Sequence, residues 1–364
     1  MRPLNHIKPC FLAGLFVAHA ATANAQQSEW VVFADGEALG YSQNLPIADA
    51  VDGLRTERFS ASGDAAFTHN FAAVGARRGP WEVAAIGRYN YGVDYSTDLA
   101  EFVNATRNDG PLADGDKAII LKINHSRGYG GQVGYRLGIG ESLSITPRVQ
   151  AFRADRMIDG GLRGGGVALD GDIASGRVDI DYVYTDDLLL GRDLPDRRGI
   201  GAAISLHAVY RASERLRADL DVSDLWGRIW WDEIDRTVAD ADTSTFTRDS
   251  DGLILVRPLL RGRNSVESHT QSLRTRWRLG LEADLSEEWR MTQTTRKIGS
   301  TWLSEFGVDY VDRRFRIGPR VELDSGAFGF ALESPTLQLK LLSDSWDANT
   351  ANYAEVRIGL RLGL

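Results

Sequence analysis

The sequence predicts an all-β chain closed into a transmembrane antiparallel up-and-down β-barrel. Three observations predict it. Apolar and polar residues alternate with period two in segment after segment, the segments run about 8 to 16 residues, and short turns alternate with long polar loops. Successive side chains of a strand point to opposite faces, so each such segment has one apolar and one charged face. A soluble sandwich also alternates. The segment length and the rhythm of turns and loops favour the barrel, because a tilted strand crosses a bilayer in ~9–11 residues. No run of 18 or more apolar residues occurs, so helical spans are not expected.

The first 25 residues read as a leader. Arg2 and Lys8 give it positive charge, Phe11 to Ala21 is a short apolar run, and Ala23-Asn24-Ala25 is a small-x-small cleavage site. Two units follow: a signal peptide over 1–25 and a barrel over 26–364. The one cysteine, Cys10, lies ahead of the apolar run, which argues against a lipoprotein anchor and leaves the mature chain without a thiol. The net charge of −8 argues against a nucleic-acid partner, which would need a basic face.

The elements then follow in order. Trp81, Val83, Ala85, Gly87, Tyr89, Tyr91 and Val93 oppose Glu82, Arg88, Asn90 and Asp94. Val178, Ile180, Tyr182 and Tyr184 oppose Arg177, Asp179 and Asp181. Leu216, Ala218, Leu220 and Val222 oppose Arg215, Arg217, Asp219 and Asp221. From Leu273 to Leu285 an apolar row faces Arg274, Arg276, Arg278, Glu282 and Asp284. Phe315 to Leu323 opposes Arg316, Arg320 and Glu322. The last segment sets Ala354, Val356, Ile358, Leu360 and Leu362 against Glu355, Arg357 and Arg361. Trp81, Trp230, Trp231, Trp289, Trp302, Trp346 and Tyr353 fall near strand ends, where aromatic girdles belong.

Short turns are predicted at 77–80, 138–141, 212–214, 286–288, 312–314 and 334–335, and long loops near 43–56, 96–116, 185–198, 232–270 and 343–352. The 232–270 stretch could fold inward as a constriction or extend the wall above the membrane. Both chain ends on one side require an even strand number. Counting the Gly-rich stretch 157–176 as an extra down-strand gives about 16 strands, with 14 as the alternative.

The charged faces must point inward, because an arginine at the bilayer midplane of a barrel costs about 2–4 kcal/mol. Arg274, Arg276, Arg278, Arg316, Arg320, Arg357 and Arg361 should then form a basic arc. Asp179, Asp181, Asp219 and Asp221 should form an acidic arc opposite it. Opposed arcs would set a transverse field across a water-filled pore. The alternative is a lumen filled by arginine–carboxylate pairs that include Glu282, Glu322 and Glu355.

Other constellations point to no reaction. Asn124-His125-Ser126 offers a base and a nucleophile, but neighbouring strand residues face opposite ways, so no catalytic pair is expected. His69, His125, His207 and His269 lack metal-ligand spacing. Asp114-Gly115-Asp116, Asp170-Gly171-Asp172 and Asp249-Ser250-Asp251-Gly252 lack the closing Glu of a calcium loop. No cofactor, metal or enzymatic activity is expected.

The final eight residues, Arg357 to Leu364, carry a polar residue, a glycine two on, and apolar residues at the antepenultimate and last positions. Arg357, Gly359, Leu362 and Leu364 thereby resemble the C-terminal assembly signal of outer-membrane, porin-like β-barrels. The match departs at Leu364, where that group usually has an aromatic residue. The resemblance extends over 28–364 through the alternation, and no subfamily is singled out. It implies an outer-membrane location, recognition by the barrel-assembly machinery, and contact with outer-membrane lipid and lipopolysaccharide. The charged arcs, in a barrel too wide for side chains alone to fill, point to a channel for small polar or anionic solutes. A barrel of surface-polysaccharide or other secretion and a closed structural or surface-binding barrel are the alternatives. N-terminal sequencing of the exported protein should give Gln26 as the first residue; a mature protein retaining Met1 contradicts the leader.

Overall fold

The computed structural model describes residues 30–43, 46–47, 63–108, 110–187, 192–242, 246–248, 254–256, 259–347 and 349–364. The leader, its cleavage site, most of the 43–56 loop and Asp249-Ser250-Asp251-Gly252 lie outside the described residues.

In chain order the elements are β1 (Trp30–Ser42), β2 (Ala65–Arg78), β3 (Trp81–Tyr95), α1 (Thr97–Asn108), β4 (Gly115–Tyr135), β5 (Leu137–Ile139), β6 (Leu143–Leu169), β7 (Asp172–Tyr184), β8 (Gly199–Arg211) and β9 (Leu216–Asp242). They continue with β10 (Phe246–Arg248), β11 (Ile254–Val256), β12 (Leu259–Ser272), β13 (Arg276–Asp284), β14 (Trp289–Ile298), β15 (Thr301–Val311), β16 (Arg316–Glu322), β17 (Phe328–Glu333), β18 (Leu337–Ser343) and β19 (Tyr353–Gly363). Neighbours pair antiparallel, and β1 closes the ring by pairing with β2 on one edge and β19 on the other, from Val31↔Gly363 to Tyr41↔Tyr353. Closure leaves no open edge around the ring, which is what lets a sheet sit in a medium without water. The C-terminal residues that resemble an assembly signal lie in this seam, Arg357 opposite Glu37 and Gly359 opposite Asp35.

The ring is a closed barrel of 14 strands with three extra strand segments, so the alternative count holds and the count of about 16 does not. The Gly-rich stretch supplies the upper half of β6 and the start of β7. β7 does not cross the barrel as a separate strand. It pairs with β6 at 158–169 and with β9 at 235–242, while β8 pairs with the lower parts of the same two strands. β7 and β8 are thus one interrupted descent. β12 and β13 likewise share the edge of β9 as one broken strand.

The alternation appears as predicted. Glu82, Ala84, Ile86 and Arg88 are buried on the inside of β3, while Trp81 and Val83 are exposed outside. The exposed outer band includes Val133, Val149, Ile200, Leu279, Phe306, Val308 and Ile358. Trp81 packs edge-on against Tyr135, and Trp289 against Tyr310, at the short-turn end. At the other end Phe328 meets Trp346, and Lys297 lies over Trp302. Two residues assigned to the girdles sit elsewhere. Trp231 and Tyr353 are 1% and 0% exposed and point inward, Trp231 into an apolar cluster and Tyr353 onto Glu355.

The short turns fall where expected, and Gly79, at φ +56°, makes the tight turn between β2 and β3. The 232–270 stretch is mostly wall: β9 runs to Asp242 and β12 starts at Leu259. β6 and β9 are 27 residues each, more than twice what a bilayer crossing needs, so this side of the barrel stands above the apolar band. Within the 96–116 loop the chain forms α1. The Ser96 hydroxyl accepts from the Leu99 N–H as the cap, and it also accepts from the Ile120 N–H, while Asp98 accepts from the Ala118 N–H. These contacts close the edge that β4 leaves free above its pairing with β3. Lys117 donates to Glu101 at 2.7 Å and holds its carboxyl below the usual range.

The glycines of 160–166 have a packing reason. A Cβ on Gly164 would lie 2.0 Å from the Arg177 carbonyl oxygen, and one on Gly161 would lie 1.8 Å from that of Leu121. Gly164→Val should therefore destabilise the upper wall by about 1–3 kcal/mol, measured as a lower urea midpoint in detergent; an unchanged midpoint contradicts the close approach.

Candidate functional site

A cavity of about 580 Å³ occupies the barrel interior. It reaches down to Arg77, Arg217, Glu282 and Arg361, all near the short-turn end, and up to His69, Arg88, Asp224 and Arg276. Its wall is mainly polar, because the inner face of each strand is the charged one. Arginine and lysine outnumber Asp and Glu in that lining, but Asp309 and Glu355 just behind it pair with Arg320, Arg296 and Lys340 and leave only a small basic surplus.

Of the predicted interior residues, Arg276, Arg278, Arg316, Arg320, Arg357, Arg361, Asp219 and Asp221 line this cavity. The other three do not. Arg274 lies above it and pairs with Asp94 at 2.8 Å. Asp179 and Asp181 sit on β7, in the part of the wall that stands above the barrel. They pair with Arg177 at 3.6 Å and Arg236 at 2.6 Å.

The two arcs do not oppose each other. β13 pairs with β9, which places Arg278 directly across from Asp221 and 3.3 Å from Asp219. Arg316 reaches Glu282 at 2.9 Å and also pairs with Glu333. Arg320 reaches Asp309 at 2.6 Å, Arg357 reaches Glu37 at 2.8 Å, and Arg361 reaches Asp35 at 2.7 Å. Each charge is met by a nearby strand. The physical reason is desolvation: an unpaired guanidinium inside a closed barrel costs far more than one that finds a carboxylate. Glu282 and Glu355 are among the partners, as expected. Glu322 is not; it accepts from backbone N–H groups of Ser304, Asp324 and Ser325 and caps the turn after β16.

The roof of the cavity depends on a residue that alternation hides. Asp221 points inward, so strict alternation puts Asp224 on the outside. A bulge around Asp224, where the register against β8 shifts, turns it inward instead. Its φ is +53°, a left-handed conformation that costs a non-glycine residue about 1–2 kcal/mol. Its carboxylate then takes Arg88 at 2.7 Å and Arg276 at 3.1 Å, and its own N–H donates to Ser205. Arg88 also donates to Gln150, and Arg276 to Asn90 and to His69. The clue in the sequence was an acidic residue at an outward position beside Leu225 and Trp226.

Above Asp224 the wall strands reach across to one another. Gln271 donates to the His125 carbonyl, Asn124 donates to the Ser272 carbonyl, and Arg274 meets Asp94. Two inward apolar clusters flank this seam. One gathers Phe152, Met157, Val183, Ile229, Trp231 and Leu273, and the other Leu39, Tyr41, Phe67, Leu303, Leu342 and Tyr353. A second ionic network closes the far side: Arg296 takes Glu355 at 2.7 Å, and Lys340 joins Glu355 at 3.0 Å and also pairs with Glu305. Arg296, Glu305 and Lys340 were not singled out from the sequence, since their strands carry weaker alternation.

His125 and Ser126 face opposite ways, as strand geometry requires. His125 lies between Tyr89 and Tyr91 at ring distances of 5.0 and 5.4 Å, so no base–nucleophile pair forms there. Asp170 and Gly171 make the turn between β6 and β7, and Asp114 accepts from the Gly171 N–H.

No family model matches the chain, and no curated protein does. Solved structures similar to it include the monoaromatic hydrocarbon channel CymD, at 8% identity over 92% of this chain and 87% of that one, with a TM-score of 0.42. The porin NanC matches at 9% over 92% and 100%, with a TM-score of 0.25. The translocator domain of the autotransporter NalP from Neisseria meningitidis matches at 7% over 93% and 90%, with a TM-score of 0.30. These neighbours are outer-membrane β-barrel proteins, and they single out no subfamily.

Removing the Asp224 carboxylate strands two buried guanidinium groups. Asp224→Ala should cost about 3–5 kcal/mol in urea unfolding followed by tryptophan fluorescence. Asp224→Asn should cost about 1 kcal/mol less, since asparagine tolerates the left-handed conformation. Wild-type stability in Asp224→Asn contradicts the role of the charge.

Proposed function

We propose that the chain is an outer-membrane barrel whose lower lumen takes up small polar solutes, anions ahead of cations, from the short-turn side. The conformation described is then the closed one. The single observation that carries this is the polar cavity of about 580 Å³ with its small basic surplus, roofed by the Asp224 seam. The volume suits small solutes. The residual positive charge lowers the cost of an entering anion and raises that of a cation. The exposed apolar outer band and the strand ring without an open edge support the membrane placement. The short-turn end then faces the periplasm, and the tall wall of β6, β7 and β9 faces outward.

A permanently filled barrel is the competing reading, and the dense ion pairing favours it. Planar-bilayer recording separates the two. Wild-type protein should conduct in rare openings, and Asp224→Ala should open far more often. In a salt gradient the reversal potential should indicate anion preference, and neutralising Arg276 and Arg278 to Gln should move it toward cations. Silence of both wild type and Asp224→Ala sinks the channel. An unmoved reversal potential sinks the anion preference.

A further inference from the structure

The outer wall is charged in a place where the proposed membrane placement assigns that charge a partner. Outward side chains form rows across adjoining strands. Gly87, Tyr129, Arg153, Ile200 and Trp230 share one row. Tyr89, Arg127 and Arg156 share the next row up. Two rows below the first lie Val83, Val133, Val149, Ile204 and Trp226, all exposed and all apolar. The row between holds Ala85, Gly131, Ala151, Ala202 and Arg228, whose guanidinium donates to the Ser272 hydroxyl and the Gly227 carbonyl, so outward arginines begin at Arg228 and continue upward from the apolar band.

Their height is fixed independently on another wall. Tyr89 stands as far along β3 from Trp81 as Lys297 stands along β14 from Trp289. Lys297 is the residue that lies over Trp302 at the upper aromatic ring. Paired rows climb as they cross tilted strands, so height is counted along each strand from its own short-turn end: Arg127 stands eight residues from Tyr135 on β4, and Arg153 and Arg156 stand ten and thirteen from Leu143 on β6, level with or above Lys297. At this height a charge meets headgroups, where it costs ~0–1 kcal/mol rather than the midplane cost.

The patch is under-neutralised. Arg127 is held by Asp155 through two bonds of 2.9 and 2.8 Å, and Arg156 stands 3.8 Å from Asp186. Arg153 and Arg198 are exposed and make no ion pair or hydrogen bond among the described residues. Arg198 directly precedes β8, whose Gly199 pairs with Ala154 next to Arg153. A guanidinium presents a planar fork that fits phosphate oxygens two at a time, and Tyr129, 55% exposed, stands directly opposite Arg153 on β4.

We propose that Arg153 and Arg198, completed by Arg156, bind the phosphate groups of outer-leaflet glycolipid of the lipopolysaccharide type. The site goes beyond transport and rests only on the membrane placement. Wild type and an Arg153→Gln/Arg198→Gln variant are refolded in detergent, and heat-modifiable migration identifies the folded form of each. Thermal unfolding is then followed with lipopolysaccharide, with the same lipid dephosphorylated, and with inorganic phosphate at equal phosphate concentration. The wild-type midpoint should rise by several degrees with the phosphorylated lipid and much less with the dephosphorylated one, and the variant should lose most of that difference. Equal shifts for wild type and variant, or for the two lipids, overturn the site. An equal shift with inorganic phosphate overturns the lipid assignment in favour of a free-anion site. Failure of both folded proteins to insert into vesicles overturns it by another route, through the membrane placement itself.

Discussion

A closed barrel spends every wall hydrogen bond on its neighbours and sends every second side chain into a confined interior. With the outer face apolar, the charged residues have only that interior, and the burial of so many charges organises the rest of the molecule. Each inner arginine must find a carboxylate within reach of its own or a nearby strand, as Arg320 finds Asp309 and Arg357 finds Glu37. Pairing between adjoining strands replaces any long-range separation of charge. The lumen is therefore a mosaic of local pairs with a small basic surplus, and the space left between them is the cavity.

Where local pairing cannot serve, the backbone yields. Asp224 accepts a left-handed conformation within β9 so that one carboxylate can hold both Arg88 and Arg276. The strain is repaid by two charge-assisted contacts in a dry setting, where each is strong. The same bulge interrupts the partner strand between Ser272 and Arg276, and Thr275 donates to the Asp224 carbonyl there. One local defect thus breaks the alternation, divides β12 from β13, and roofs the cavity.

The wall was legible in the sequence because alternation is a local property. The faces of β3, β13 and β19, the six short turns and the inward direction of most arginines followed from period two alone. What was not legible depended on partners distant along the chain. The 157–176 glycines read as an extra crossing strand, but they mark a close approach of β4, β6 and β7. Trp231 read as a girdle residue, whereas the bulges of β9 decide which of its faces points inward. Asp179 and Asp181 alternate like Asp219 and Asp221, and only the height of β7 above the barrel separates the two pairs. Arg296, Glu305 and Lys340 come from separate strands and meet only in the closed ring.

The central claim is that the lower lumen opens to the short-turn side and is sealed above by the Asp224 seam. Cys10 is the single cysteine of the sequence, so on a Cys10→Ser background a single introduced thiol reports alone. Thr292 lines the cavity below the seam. With Thr292→Cys in oriented vesicles, a small charged thiol reagent should label the residue quickly from the short-turn side and slowly from the long-loop side. Adding Asp224→Ala should equalise the two rates. Equal labelling from both sides with Asp224 intact, or none from the short-turn side, would contradict the account.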